Sequence, residues 1–165
     1  EGSLGSKVSY TYPSTVLKGE GAKTSIIGVT IANGPFWKEN GGAKAYHDAP
    51  RTSSKIVNKS VSINGGTVAY RGLVYVREGA KYARSTVSCD SLILDDKSRA
   101  YTIPPHDQVF EDTATVTHEA YTGRLSEDKL FYLRSRGFDE GGTARSLVVL
   151  GFIQDITVRY PLSMQ

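Results

Sequence analysis

Cysteine occurs once in the 165 residues, at Cys89, and that scarcity removes whole classes of protein. A lone thiol closes no internal disulfide, so nothing argues for a secreted, stapled scaffold, and a reducing cytosol is the default compartment. No apolar run approaches the ~20 residues of a membrane span. No basic segment followed by an apolar stretch marks a secretory signal at the N-terminus. Charge of one sign is also missing. Twenty Lys and Arg against 17 Asp and Glu give a net charge of +3, with no basic run, which argues against a nucleic-acid footprint. Methionine is absent until Met164, and the chain opens abruptly on Glu1-Gly2-Ser3, which reads as a fragment of a longer protein.

What the chain has instead is glycine, 17 residues, and tyrosine, 10, in runs rich in Thr, Val, Ile and Ser. That composition favours strands and turns over helices. A phrase recurs at Gly21-Ala22-Lys23, Gly42-Ala43-Lys44 and Gly79-Ala80-Lys81, with a related turn at Asn64-Gly65-Gly66. Each precedes a strand-like run, such as Ile26 to Ala32 or Thr67 to Val76. The first two copies are 21 residues apart, near one coil of a short-period solenoid, and the third lies 37 further on. Glycine suits a left-handed corner, with Ala packed into it and Lys leaving for solvent. Short strands with such corners and no intervening helices make a β-helix or a sandwich of hairpins. Stacked, mostly parallel coils are expected from about Val8 to Tyr121.

Past Gly123 the pattern turns helical. Ser126 is an N-cap, Glu127 and Asp128 complement the helix dipole, Leu130, Phe131 and Leu133 form a face, and Gly137 is the C-cap. Leu130 and Leu133 are expected to pack inward, leaving Arg134 or Arg136 exposed. A second helix is expected from near Asp139 through Phe152, fraying at Gly141-Gly142.

Candidate chemistry concentrates in two strand-like runs. Cys89 lies in Ser85 to Leu94, and His118-Glu119 in Thr113 to Tyr121. A thiolate, an imidazole and a carboxylate on neighbouring strands of one sheet would make a metal or sulfur site. A cysteine following Val87 on an inward face also packs as a small hydrophobe. Strand parity sets a difficulty, since His118 shares parity with Val116 and Ala120, and Glu119 then points the other way. A bulge or sheet end would have to re-aim one side chain for Cys89 and Glu119 to meet. His47 reads as a satisfied turn histidine, His106 as exposed, Arg71 as a paired structural arginine, and Phe36-Trp37 as an exposed aromatic loop.

Read in order, Ala49 to Ser54, Tyr70-Arg71-Gly72-Leu73, Ser88 to Asp95, His118-Glu119-Ala120, Leu130 to Gly137 and Gly151-Phe152-Ile153 resemble the C-terminal part of the SufB scaffolds of the SUF iron–sulfur cluster assembly system. The likeness runs from about Lys18 to Tyr160. Cys89, and Glu119 after the histidine, favour SufB over its sister SufD. The resemblance implies a right-handed parallel β-helix with a small C-terminal helical segment: residues 1–123 as the last coils of the core and 124–165 as an incomplete helical segment docking the ATPase SufC. It implies a non-enzymatic, cytoplasmic scaffold that builds a transient cluster at an interface with SufD or a second SufB. That cluster is expected to be absent from the fragment alone. Sulfur would come from a cysteine desulfurase. By motif, Cys89, Glu119 and His118 correspond to the cluster and persulfide site, Cys89 and Glu119 to metal ligands, and Leu130, Phe131, Tyr132 and Arg134 to the SufC-docking face. A slightly long loop at Pro104-Pro105-His106-Asp107 and the replacements at Gly141-Gly142 and Leu150 depart from the pattern. The alternatives are an interaction module without its own metal, or a glycan-acting β-helix, for which a carboxylate row and a secretory signal are both missing.

Overall fold

The computed structural model describes residues 2–4, 7–35, 38–103, 106–138 and 143–159. Thirteen strands precede two helices: β1 (Gly2–Leu4), β2 (Val8–Thr11), β3 (Ser14–Leu17), β4 (Lys23–Asn33), β5 (Lys38–Gly41), β6 (Lys44–His47), β7 (Ser53–Ile63), β8 (Thr67–Arg71), β9 (Leu73–Val76), β10 (Arg84–Ile93), β11 (Arg99–Ile103), β12 (Gln108–Val109), β13 (Thr115–Arg124), α1 (Glu127–Ser135) and α2 (Thr143–Arg159). Every third strand pairs in parallel. The sheets run β1-β4-β7-β10-β13, β2-β5-β8-β11 and β3-β6-β9-β12, which is a parallel β-solenoid of about three turns. The Thr, Val and Ile content of the long strands suits this half-buried pleated surface.

Along the long strands β4, β7, β10 and β13 each coil advances by 30 or 31 residues: Lys23 pairs with Ser53, Ser53 with Arg84, and Arg84 with Thr115. The recurring Gly-Ala-Lys phrases, read as marking a coil of about 21 residues, occupy different corners. Gly21-Ala22 and Gly79-Ala80 lie before β4 and β10, whereas Gly42-Ala43 lies between β5 and β6. Gly21 (φ 71°) and Gly79 (φ 85°) are left-handed as expected. Gly42 is not, and it is required for another reason. A β-carbon there would run into the Arg71 carbonyl oxygen of the next coil and, on the other side, lie 2.8 Å from the Tyr12 ring. The corner holding Gly21 recurs in the next two coils as Arg51 (φ 55°) and Tyr82 (φ 60°), so non-glycine residues carry the same left-handed turn there.

Parallel in-register stacking lays like positions over one another. The inward faces of the long strands form columns, among them Ile26–Ile56–Val87–His118 and Gly28–Asn58–Cys89–Ala120. Ala43, Ala45, Ile56, Tyr70, Val74, Val76, Val87 and Cys89 close into one core inside the coils. On the outer face, Val148, Val149 and Phe152 of α2 pack on Val61, Leu92 and Leu94. There Lys59 Nζ donates to the Phe152 carbonyl at 2.7 Å. Ser126 caps α1, its side chain accepting from the Lys129 amide at 3.4 Å. The C-cap is Arg136 rather than Gly137, which follows it at φ 88°. The expected start of α2 near Asp139, the Gly141-Gly142 pair, Phe36-Trp37 and Pro104-Pro105 lie outside the described residues. No helix among the described residues is long and apolar enough to cross a membrane.

Candidate functional site

Cys89 lies on β10, with Asn58 of β7 and Ala120 of β13 as its register neighbours. Its parity with Val87 sends the side chain inward, where it is 1% exposed. Burial pushes the thiol up to about 12; the Tyr70 hydroxyl beside it pulls partly back, and the Asp90 carboxylate adds to the rise. At neutral pH this is a neutral thiol, poor as nucleophile or ligand until its surroundings change.

Glu119 pairs with Ser88, and His118 with Val87. Adjacent residues on a strand face opposite ways. His118 therefore shares the interior with Cys89, both of its ring nitrogens being buried without a hydrogen-bond partner. Glu119 is exposed on the outer face. No bulge re-aims either one: β10 and β13 stay in register from Arg84↔Thr115 to Ile93↔Arg124. The structure thus puts Cys89 and His118 on the same inward face, two positions apart in register, and Glu119 on the opposite face. No group of three metal-ligating side chains converges among the described residues.

Sequence reasoning missed Tyr70. It is 3% exposed, from the inward face of β8, and its phenol is driven well above its ordinary value by burial first and by Cys89 second. Its hydroxyl has no regular hydrogen-bond partner. Gly72, two residues on, lets the ring fold over the backbone, since a β-carbon there would lie 3.1 Å from that hydroxyl. Thr102 of β11 stacks on Tyr70 in register, and its Oγ1 is likewise buried and unpartnered. Alternation in Thr67 to Leu73 was the available signal for an inward Tyr70. Nothing in the sequence places it opposite Cys89.

The remaining candidates separate cleanly. His47 is fully buried at the end of β6, bonded through Nδ1 to Thr52 Oγ1 at 2.8 Å and through Nε2 to Ser54 Oγ at 2.9 Å, and Ser54 donates to Ser85 on β10. It is a satisfied histidine, as expected, though inside the coil rather than in a turn. His106 is exposed. Arg71 is exposed and makes no ion pair among the described residues, contrary to the paired arginine expected there; it ends β8, where the chain reaches solvent. On α1, Leu130 is 3% exposed, Arg134 is half-buried with Arg136 exposed, and Phe131 and Tyr132 stand out at 69% and 57%. Leu130 thus belongs to the fold's own packing, and the free apolar surface of the helix is Phe131 and Tyr132.

The family model described as SUF system FeS cluster assembly, SufBD core domain, matches residues 1–152. Similar curated proteins include an iron–sulfur cluster assembly SufBD family protein of Staphylococcus haemolyticus and another of Staphylococcus epidermidis. Each is 48% identical over 162 residues, covering 98% of this chain and 34% of the relative. A Staphylococcus aureus protein of the same description has the same identity and coverage. The chain therefore spans about a third of the length of the curated relatives it matches.

Proposed function

The chain belongs to the SufBD family of SUF-system iron–sulfur cluster assembly proteins, and on that premise we propose that it is the cysteine-bearing, SufB-type member of a scaffold pair. The observation that carries this reading is the place of the only thiol: Cys89, on the strand beside edge strand β13, with His118 on the same inward face. An edge strand is where a sheet meets another chain. One thiolate cannot hold a cluster that ordinarily takes four ligands, so a SufD or second SufB subunit supplies the others. In this reading the nascent cluster is the cargo, Cys89 receives sulfur that began in a cysteine desulfurase, and His118 is its companion. Glu119 joins as a ligand only after β13 twists or leaves the sheet, because it starts on the opposite face.

Residues 1–123 serve as the scaffold and 124–165 as the docking segment in this proposal. The exposed Phe131 and Tyr132 offer the apolar surface on which the ATPase SufC docks, and Arg134, half-buried beside them, supplies charge. Because the buried thiol stays protonated, the role of that ATPase is to move β13 and expose Cys89. The test is anaerobic reconstitution of the full-length protein with its partners, with iron and sulfide measured for native Cys89 and for Cys89→Ser. Equal cluster content would remove Cys89 from the mechanism.

A further inference from the structure

Helix α2 covers part of the outer face of the first sheet, and the second sheet, β2-β5-β8-β11, carries no helix on its outer face among the described residues. Val68 and Tyr70 of β8 are buried in the coils, so Thr67, Ala69 and Arg71 face outward. Register sets Arg99, Tyr101 and Ile103 of β11 beside them. On the other side, Asn40 of β5 stands at the rung between Ala69 and Tyr10 of β2. The row from Tyr10 through Asn40 and Ala69 to Tyr101 therefore spans three rungs, about 14 Å at the usual strand spacing. Tyr10 and Tyr101 are 72% and 54% exposed, whereas Ala69 between them offers only a methyl group. A strip of low surface thus runs along β8 with an exposed tyrosine on each side. Both β5 and β8 are paired with strands on either side, so their backbones are satisfied and only side chains are left to bind.

Both ends of the strip are positive. Arg71, exposed at the end of β8, has no ion pair among the described residues. Beside it, across Gly42, lies the Tyr12 ring, with Lys44 Nζ 5.9 Å from its centroid. At the other end Arg99 gives Nη1 to the carbonyls of Asp96 and Ser98, at 2.6 and 2.8 Å, which leaves its charge without a carboxylate. No acidic side chain among the described residues shares this outward face. The acids at its rims are engaged elsewhere: Asp96 with Arg124 at 3.1 Å, and Asp107 with the Val74 amide at 3.3 Å. Arg71 and Arg99 stand one rung and four residue positions apart, roughly 14 Å. In an extended segment, same-facing side chains recur about every 7 Å, so acids four positions apart match that separation. We infer that this face docks an extended acidic segment of a partner protein, laid along β8 between Tyr10 and Tyr101, with carboxylates on Arg71 and Arg99. Nothing in this depends on the role of Cys89. A single-stranded nucleic acid suits the face less well. It needs a continuous basic track, whereas the chain has a net charge of +3, no basic run, and cations only at the two ends of the strip.

The test uses the full-length protein and a short fluorescent Thr-rich peptide carrying two glutamates four positions apart, with a matching lysine peptide and an oligothymidine as competitors for the assignment. Fluorescence anisotropy should show the acidic peptide binding, and binding more weakly as salt rises. Arg71→Ala should weaken it about fivefold, the scale of one exposed ion pair. Tyr101→Ala, which removes one aromatic flank, should weaken it about tenfold. Both side chains are exposed, so neither variant should shift the melting temperature appreciably. Arg71→Glu should lose the acidic peptide and gain the lysine peptide, a reversal that damage to the fold does not produce. Equal affinity of the wild type for the two peptides, or no binding of the acidic one, would overturn the inference. So would unchanged affinity in both Arg71→Ala and Tyr101→Ala. Tighter binding of the oligothymidine than of the acidic peptide would overturn it in favour of a nucleic acid.

Discussion

Cys89 and Glu119 lie on neighbouring strands and face opposite sides of the same sheet. Glu119 is the register partner of Ser88, and Ala120, not Glu119, stacks on Cys89. A cluster held by both requires β13 to move, and the buried thiol is the counterpart of that geometry. Substitution at the two sites should accordingly differ in kind, one acting on a closed interior and the other on an open face.

Thiol reactivity is the first expected consequence. An ordinary cysteine, with its value near 9.0, reaches its full alkylation rate soon above that pH, whereas Cys89, pushed up to about 12, should keep accelerating beyond pH 10. Iodoacetamide kinetics on the full-length protein, with SufC and nucleotide absent and then present, check this. A rate that levels off near pH 9 in the resting protein would contradict the burial of the thiol.

The corners give a paired prediction on stability. Gly42→Ala should cost on the order of 1–3 kcal/mol, since the Arg71 carbonyl backbone cannot yield like a flexible side chain. Gly79→Ala meets no atom but adopts φ 85°, and should cost about 1 kcal/mol through backbone strain alone. Tyr82→Gly, at φ 60° and exposed, should be neutral or mildly stabilising. Thermal melting of the three variants reads the order directly, and a Gly42→Ala protein as stable as Tyr82→Gly would refute it.

Acid stability should depend on His47. Burial lowers its value below 6.5, so the unfolded chain takes up the proton first. Its contribution is present above pH 6.5 and is lost as pH falls from there towards the depressed folded value. Asp95 and Glu111 are also lowered, from 3.8 and 4.5, but as acids they lose their contributions only below those values. Between pH 6.5 and 4.5 the slope should therefore flatten in His47→Gln. An unchanged slope in denaturant titrations would show that His47 does not carry it.

On α1, adjacent residues should separate folding from docking. Leu130→Ala removes a buried side chain and should cost about 2–4 kcal/mol. Phe131→Ser alters an exposed one, leaving the melting temperature within about a degree while weakening capture of SufC. Equal SufC binding by Phe131→Ser and wild type would contradict the proposed docking role of Phe131.

Much of this structure is written locally in the chain and some of it is not. The N-cap at Ser126, the inward Leu130 and the strand parity of His118 follow from side-chain periods, and the structure has them where the periods put them. The spacing of Gly-Ala-Lys misleads about coil length because the phrase serves two unrelated needs: left-handed backbone at Gly21 and Gly79, and close coil packing at Gly42. Arg51 and Tyr82, which share the Gly21 corner, carry no glycine to announce it. Tyr70 comes to Cys89 from a different sheet, and the register of β8 on β11 stacks Thr102 on Tyr70. Convergence across sheets leaves no spacing in the sequence.

On the proposed function, Cys89 serves cluster assembly and is close to dispensable for the fold. Cys→Ser removes little volume, so the stability loss should be on the order of 1–2 kcal/mol. A hydroxyl does not replace a soft thiolate at iron or accept sulfane sulfur. Glu119→Ala, on an exposed face, should lower assembly less. The decisive measurement is iron and acid-labile sulfide per complex after anaerobic reconstitution of full-length wild type, Cys89→Ser and Glu119→Ala with their partners, beside each melting temperature. A folded Cys89→Ser complex with almost no cluster, and a Glu119→Ala complex with a reduced amount, are the expected results. A Cys89→Ser complex that assembles clusters at the wild-type level would make Cys89 a core residue and nothing more.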